Sequence, residues 1–562
     1  MPALIECVPN FSEGRDLEVI RQITAAIESV EGATLLHFDP GRGTNRTVVT
    51  FAGAPAPVVE AAFRAIAKAA ELIDMRHHSG EHPRMGATDV CPLVPISGIS
   101  MEETAALARK LGERVGRELG IPVYLYEAAQ PDPARKDLSG IRAGEYEALP
   151  RKMVDPAWKP DFGPASFNPR SGATVIGARD FLVAFNVNLN TTSTRRANAV
   201  AFDVRETGRP RREGDPLTGK VVRDRAGNPE MIPGSLPAVK AIGWYIPEYG
   251  IAQVSMNLTN LRVTPLHVAF EETVRRAEAR GLRVTGSELV GLIPKSAILE
   301  AGKYFLRKQQ RSLGVPEGEL VRIAVRSLGL DELSPFNPEE RIIEYRMQNP
   351  ASRPLARLSV EQFVDETGSE SVAPGGGSTA ALVGALGAAL GTMVANLSSH
   401  KRGWDARWAE FSDWAEKGQK IKELLVHLID DDTRAYNRVV IAAGLPRNTD
   451  EERAAREAAL EAANLGALEV PWQVMNTAYQ SFDLLHAMAK DGNPASASDA
   501  GVGALCARAA IRGAWLNVRT NATSIKNQDS IAAILKEGPG LEREAEKREQ
   551  AILAIVDERM GR

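Results

Sequence analysis

Past the segment Met347-Gln348-Asn349-Pro350-Ala351-Ser352-Arg353-Pro354, strand signals vanish from this sequence and alanine dominates. A run punctuated by Asn and Pro in this way reads as a linker. It implies that the 562-residue chain joins two folds of different class. That length exceeds what one hydrophobic core can serve. The reading divides it into residues 1–178, 179–330, a linking stretch 331–357, and 358–562.

Ahead of the break, strand and helix patterns alternate. Leu4–Val8 reads as a strand and Asp16–Ser29 as an amphipathic helix. Thr34–Phe38 and Thr47–Phe51 read as strands around the Gly-rich turn Asp39-Pro40-Gly41-Arg42-Gly43. Pro57–Ile73 is a helix and Val90–Val94 a strand. Ser100-Met101-Glu102-Glu103 is a capping box opening a helix to about Leu119, and Pro122–Tyr126 is a strand. Together they make a β-α-β-β-α-β unit. The order returns in Phe181–Leu189, Arg195–Arg205, Val239–Tyr245, Ile251–Leu258, Pro265–Arg280 and Arg283–Val290. A rigid Pro/Gly-rich stretch, Pro150 to Gly172, connects the two units. The class expected for this half is α+β: two βαββαβ subdomains with antiparallel or mixed sheets.

Behind the break, periodic segments at 379–399, 404–441, 450–489, 498–523 and 524–558 read as an all-α helical bundle. No charged residue occurs from Ser371 to Ser399, and Ala380–Leu397 has the length of a membrane span. Its Ala/Gly composition and Asn396 favour a helix buried on all sides, with Gly384, Gly387 and Gly391 admitting close neighbours. Tight helix pairing of this kind makes a homo-oligomer the expectation, with no membrane.

Net charge is −4, which gives no long-range pull on nucleic acid or anionic lipid. The three cysteines, Cys7, Cys91 and Cys506, are odd in number and far apart in sequence, so neither a disulfide framework nor a CxxC metal pair is expected. Met1–Glu6 carries no basic n-region and does not read as a signal peptide. These features fit a cytoplasmic protein.

The run Gly80-Glu81-His82-Pro83-Arg84-Met85-Gly86-Ala87 cannot be a regular helix, and three of the eight histidines (His77, His78, His82) fall within it or just ahead of it. An imidazole on such a loop titrates near neutrality and suits proton transfer. Asp39, at a strand end, is a candidate to orient it; Glu81 is too close in sequence to face the same side. The bland alternative is a loop histidine bonded to a carbonyl. A metal site at the three histidines does not match helical ligand spacing, and no metal is expected.

Gly163-Pro164-Ala165-Ser166-Phe167-Asn168-Pro169-Arg170-Ser171-Gly172 joins the two α/β units, where a ligand crevice or a plain connector is possible. Asn10-Phe11-Ser12-Glu13-Gly14-Arg15 is a strand-to-helix turn that could offer amides to an anion, or a plain capped turn. Gly375-Gly376-Gly377-Ser378 opens a helix without a Walker lysine. Along the later helix, Ile421, Leu425, Leu428, Ile429, Tyr436 and Val439 form one apolar stripe, and Asp432 falls in its middle. Asp430 and Asp431 fall to either side, toward solvent. A carboxyl facing a core should hold its proton, as acid catalysis requires, or bond a neighbouring helix. Asp499, with Asn493 and Ser498, is a weaker candidate for the same pocket.

Together these segments resemble the formimidoyltransferase-cyclodeaminase family. The matching stretches include Val8–Gly14, Thr44–Thr47, Gly80–Pro92, Ile141–Glu147, Asp161–Pro164, Gly243–Tyr245, Glu340–Tyr345, Ala373–Ser378 and Leu445–Thr449. The resemblance implies two reactions. The formimino group of N-formimino-L-glutamate moves to N5 of tetrahydrofolate, itself with or without a polyglutamate tail. That product then closes to 5,10-methenyl-tetrahydrofolate and loses ammonia. It implies His82 as the catalytic base and acid of the first reaction, with Asp39 orienting it, and Asp432 as proton donor of the second. It implies folate contacts from Gly163–Gly172, Asn10 and Asn45, and a second site around Gly375, Gly376, Gly377, Ser378 and Asp499. The rear half also resembles stand-alone methenyl-tetrahydrofolate cyclohydrolases, so opening of the methenyl ring by water stays open for it. A folate-binding scaffold without catalysis is the remaining alternative.

Overall fold

A computed structural model describes residues 3–42, 44–80, 82–214, 219–347 and 353–561. Gly43, Glu81 and most of the linker expected at 347–354 lie outside the described residues. The chain divides into two compact units, Met1–Ile298 with Leu328–Gln348, and Leu299–Ser327 with Asn349–Arg562.

The first unit opens with β1 (Leu4–Cys7), β2 (Asn10–Phe11), α1 (Leu17–Glu28), β3 (Ala33–Gly41), β4 (Arg46–Gly53) and α2 (Pro55–Leu72). It continues with β5 (Thr88–Ser97), α3 (Met101–Leu119), β6 (Val123–Glu127), the short α4 (Leu138–Arg142) and α5 (Glu145–Lys152), and β7 (Thr174–Ala178). The seven strands form one mixed sheet, antiparallel through β1–β5 and parallel where β7 lies between β5 and β6. Helices start where the sequence says they should. Asp16 caps α1 by accepting from Glu18 N and Val19 N, and Ser100 and Glu103 close the expected capping box on α3. Strand β7 was not anticipated. It is five residues long and buried throughout, so it offers no alternation to read.

Cys7 and Cys91, far apart in sequence, meet on paired strands β1 and β5, with their sulfurs 3.5 Å apart and both side chains buried.

The second sheet has the order β13-β14-β8-β15, from Val239–Ile246, Ile251–Leu258, Val183–Leu189 and Val284–Val290, all antiparallel. Helices α6 (Thr194–Val204) and α7 (Leu266–Glu278) belong to the same subdomain. The expected βαββαβ order is therefore present twice. Between α6 and β13 lie four two-residue strands, β9 (Arg209–Pro210), β10 (Arg212–Glu213), β11 (Lys220–Val221) and β12 (Met231–Ile232), pairing β10 with β11 and β9 with β12, that the sequence did not reveal.

After α8 (Lys295–Lys308), α9 (Glu317–Leu328), α10 (Pro338–Arg341) and α11 (Ile343–Met347) come the main helices of the second unit, which is all helical: α12 (Val360–Thr367), α13 (Gly376–Ser399), α14 (Trp408–Ala443), α15 (Asp450–Asp491), α16 (Ala497–Ala522) and α17 (Ala532–Arg559). Helix α13 packs against α14, α15 and α16. It is long and apolar enough to cross a membrane, with mean hydropathy 1.7, yet just over half of that stretch, 56 %, is buried within the bundle. Its small residues explain the close approach: a Cβ on Gly387 would come within 2.8 Å of Gly503 O on α16. Residues 299–327, which the sequence reading placed within 179–330, group with this unit. Asn396 Nδ2 on α13 donates to Gly314 O at 2.9 Å, and Lys303 pairs with Glu416 at 2.8 Å.

Candidate functional sites

In the first unit, the loop carrying His82 is built on a buried ion cluster. Asp89, at the start of β5, is fully buried and is paired with both Arg46, at the start of β4, and Arg142, at the end of α4. Its Oδ1 accepts from Met85 N at 2.9 Å, which ties the loop to the sheet. Two guanidinium groups face one carboxylate, so the cluster carries a net positive charge. A buried triad of this kind is held together by the cost of leaving any member unpaired.

His82 is half-buried beside this cluster. Its Nδ1 lies 2.7 Å from Pro83 O. A carbonyl only accepts, so Nδ1 donates, and in the neutral ring the basic lone pair is on Nε2. Burial lowers the imidazole's proton affinity, and the charges of Arg46 and Arg142 lower it further, outweighing Asp89. The ring is thus poised as a neutral base with a fixed tautomer. The carbonyl bond is the bland arrangement considered from sequence, and it is also the orienting contact. Asp39 does not supply that contact. It is exposed on β3, paired in register with Val48, and no hydrogen bond joins it to His82. The reason is geometric: β3 runs on through Gly41, so Asp39 is a strand residue rather than a turn residue.

His78 has a different part. Its Nε2 donates to Asn45 O at 2.8 Å and its Nδ1 accepts from Arg84 Nε at 3.3 Å. Arg84 in turn pairs with Glu145 and Glu147. Burial lowers the proton affinity of His78, so it serves as a neutral brace. Among the described residues, no group of three or more His, Cys, Asp or Glu is placed to hold a metal ion.

The segment 163–172 reaches this loop. Gly86 and Gly172 form an antiparallel bridge, Ala87 N donates to Ser171 O at 2.9 Å, and Ala173 N donates to Met85 O at 3.0 Å. Gly172 has φ +67°, and a Cβ there would lie 2.2 Å from Met85 O, so only glycine permits the closeness. Gly163, Pro164, Ala165 and Ser166 are exposed, and the Phe167 ring packs on Tyr146 at 5.3 Å. Asn168 Oδ1 caps Arg170 N and Ser171 N at 3.1 and 3.0 Å. Tyr146 Oη donates to Pro169 O at 2.5 Å, and Arg170 is anchored on Glu71 O. Asn10 and Asn45 are spent on the scaffold. Asn10 Oδ1 accepts from Arg46 Nε at 3.1 Å, and the Asn45 amide joins Gly14 N to Ser79 O. Sequence reading passed over Arg46, Asp89 and Arg142, although all three lie in the quoted motifs. A charged residue at each of two strand starts was the available signal.

In the second unit, Asp432 opens onto a cavity of about 330 Å³, lined among others by Gly375, Gly376, Gly377, Thr433, Tyr436, Asn464, Asn517 and Asn521. The apolar stripe of α14 is buried as far as Ile429, and then Tyr436 and Val439 line the cavity instead of the core. Asp432 sits at that change. Gly377 makes room for it: a Cβ there would lie 2.2 Å from Asp432 Oδ1. Burial raises the carboxyl's proton affinity against the pull of two hydrogen bonds from Ser378. Ser378 Oγ is 2.8 Å from Ile429 O and 3.1 Å from Asp432 Oδ2. Its single proton has a nearer acceptor in the carbonyl.

Two expectations are corrected here. Asp430 is 1 % exposed, not solvated, and accepts from Leu355 N at 2.9 Å and Ala356 N at 3.2 Å. The chain entering the bundle folds over that side of α14. Asp431, as expected, faces outward and pairs with Arg434. Asp499 is not in this cavity. It lies in the first turn of α16, whereas Asn517 lies about 27 Å further along the same helix. The asparagines Asn464, Asn517 and Asn521 went unnoticed; the i, i+4 pair on one helix was the signal.

Comparison with known proteins covers both units. The family model "Formiminotransferase domain, N-terminal subdomain" matches residues 4–179, "Formiminotransferase domain" matches 184–348, and "Formiminotransferase-cyclodeaminase" matches 359–538. The formimidoyltransferase-cyclodeaminase of Gallus gallus is 43 % identical over 560 residues, which is 100 % of both chains. The glutamate formimidoyltransferase of Thermoplasma acidophilum is 41 % identical over 321 residues, 57 % of this chain and 96 % of that one. The methenyltetrahydrofolate cyclohydrolase of Methylorubrum extorquens is 38 % identical over 203 residues, 36 % of this chain and 98 % of that one.

Proposed function

Since this chain belongs to the formimidoyltransferase-cyclodeaminase family, we propose that it performs two successive reactions on one folate, each driven by a side chain that burial keeps uncharged. In the first, N5 of tetrahydrofolate attacks the formimino carbon of N-formimino-L-glutamate. His82 Nε2 takes the N5 proton as the N5–C bond forms. The bond from that carbon to the glutamate nitrogen breaks, and the imidazolium returns its proton to the departing amine. The positive charge of the Arg46–Asp89–Arg142 cluster speeds that return by disfavouring imidazolium. The segment 163–172 holds the folate beside His82, a reading supported by its attachment to the His82 loop through Gly172.

In the second reaction, N10 adds to the formimino carbon, and its proton ends on the formimino nitrogen. Asp432 gives that nitrogen a second proton. The C–N bond breaks, ammonia leaves with the bonding pair, and 5,10-methenyl-tetrahydrofolate remains as a cation opposite the newly ionised carboxylate. The observation that carries this reading is Asp432 itself, a carboxyl with no cationic partner among the described residues, its proton affinity raised by burial at the wall of a ligand-sized cavity.

A second cavity, lined by Arg447, Arg453, Arg456 and Lys526 together with Glu457 and Glu461, shares Asn464 and Ser524 with the first and carries a surplus of cations. It supports a folate carrying extra glutamate carboxylates as the preferred co-substrate. Three free thiols support a reducing cytoplasm. Exposed Ile242, Trp244 and Tyr245 on the sheet-edge strand β13 support a homo-oligomer.

The test is to supply 5-formimino-tetrahydrofolate and follow ammonia. One ammonia per methenyl product is expected. Hydrolysis of supplied methenyl-tetrahydrofolate with no ammonia from the formimino compound would install the cyclohydrolase reading instead.

A further inference from the structure

The cavity at Asp432 is walled by three asparagines whose orientation the backbone dictates. Asn517 Nδ2 donates to Gly513 O at 2.9 Å, Asn521 Nδ2 donates to Ala467 O at 2.7 Å, and Asn464 Nδ2 donates to Ser524 O at 3.1 Å. Each partner is a carbonyl, which only accepts, so the amides cannot be flipped without setting oxygen against oxygen. One hydrogen of each NH2 group is therefore anchored. Each Oδ1 is left with no hydrogen-bond partner among the described residues. Asn517 also lies over Gly376, where a Cβ would come within 3.1 Å of its Nδ2 and 3.4 Å of its Oδ1, while Asp432 lies over the adjacent Gly377. The amide and the carboxyl thus flank the same turn.

Three asparagines with uncommitted acceptor oxygens, lining the same cavity as one proton donor, suit a ligand rich in N–H groups. We propose that Asn517 and Asn521, with Asn464 beside the adjoining cationic cavity, bind the formimino nitrogen through their Oδ1 atoms and so select the substrate that releases ammonia. This rests on the reading of Asp432 as proton donor. The formimino nitrogen presents N–H donors before ring closure, and more of them once Asp432 has protonated it. The methenyl product has no such nitrogen. The same oxygens therefore hold the substrate and the departing ammonia while offering the product nothing at that position. Asn517, Asn521 and Asn464 are binding and selecting groups; Asp432 remains the group that moves the proton.

The test uses the full-length protein with Asn517→Leu and Asn521→Leu, measuring KM for 5-formimino-tetrahydrofolate and inhibition by 5,10-methenyl-tetrahydrofolate. Loss of a hydrogen bond to a strongly polar donor predicts a rise of at least about tenfold in KM for each variant. Product inhibition is expected to stay within about twofold, since an apolar side chain removes no contact to it. Asn517→Asp, which keeps an acceptor oxygen, is expected to recover most of the lost affinity. A parallel loss of substrate and product binding would mean that the asparagines only shape the cavity, and would overturn the proposal. Unchanged KM in both leucine variants would overturn it as well. Undiminished ammonia release by Asp432→Asn would instead remove the reading of the site beneath it.

Discussion

His82 in the first unit and Asp432 in the second are both withdrawn from water, and in both the charged form is the one that suffers. The chemical results are opposite. An imidazole that resists its proton is a base near neutral pH, and a carboxyl that keeps its proton is an acid. The means differ too. At His82 the push comes from burial and from two guanidinium groups that outnumber their shared carboxylate. At Asp432 it comes from burial alone, with the hydrogen bonds of Ser378 opposing it. One fold arranges charge and the other arranges emptiness, which fits an ion cluster at strand starts and a glycine-lined helix junction.

This contrast is open to breakage in several places. His82→Ala should cost transfer about 10³- to 10⁴-fold and leave ammonia release from supplied 5-formimino-tetrahydrofolate intact, measured as two separate assays. Joint loss of both activities would erase the division into two sites. Asp432→Asn should do the reverse, lowering ammonia release about 10²- to 10³-fold with transfer retained.

A smaller and sharper effect is expected from Gly377→Ala. The new methyl group would press on the Asp432 carboxyl and displace it, lowering ammonia release by about 10²-fold, as misplacement of a reacting group by an ångström does. Circular dichroism should show the bundle still folded. If ammonia release is unchanged, the carboxyl does not act from the position it occupies here.

The smallest effect concerns the charge beside His82. Arg142→Gln leaves Arg46 to neutralise Asp89 and removes the surplus positive charge. The imidazole should then hold its proton more tightly. The acid side of the transfer pH profile should move up, with little change in its maximum. An unmoved or downward-shifted profile would show that Arg142 does not reach the ring.

The sequence carried the architecture well where period and punctuation agree. Asp16, Ser100 and Thr449 each cap the helix that the pattern began at or beside them. Strand β14 has the bounds read from its alternation. It failed where burial leaves no pattern, as in β7, and where elements are two residues long, as in β9–β12. For the sites, Asp432 was legible because a carboxylate inside an apolar stripe is an anomaly visible at 100° per residue. Asp430 was misread for a reason no helical wheel contains. Its neighbours Leu355 and Ala356 come from the far side of the linker. The Arg46–Asp89–Arg142 cluster was hidden in the same way, since its members are brought together only by strand pairing and a short helix. Asp39 and Asp499 were credited by proximity in pattern; Asp39 is a strand residue with no hydrogen bond to His82, and Asp499 lies toward the opposite end of α16 from Asn517.

The most direct test of the account is the pH dependence of the two partial reactions, measured on one unaltered preparation. Transfer depends on a deprotonated imidazole whose proton affinity is lowered, so it should fall away only on the acid side, below the ordinary imidazole range. Ammonia release depends on a protonated carboxyl whose proton affinity is raised, so it should fall away as pH rises past that carboxyl's elevated pKa. Two limbs of opposite slope are the predicted result. If ammonia release grows with rising pH alongside transfer, Asp432 is not giving up a proton and the central claim fails.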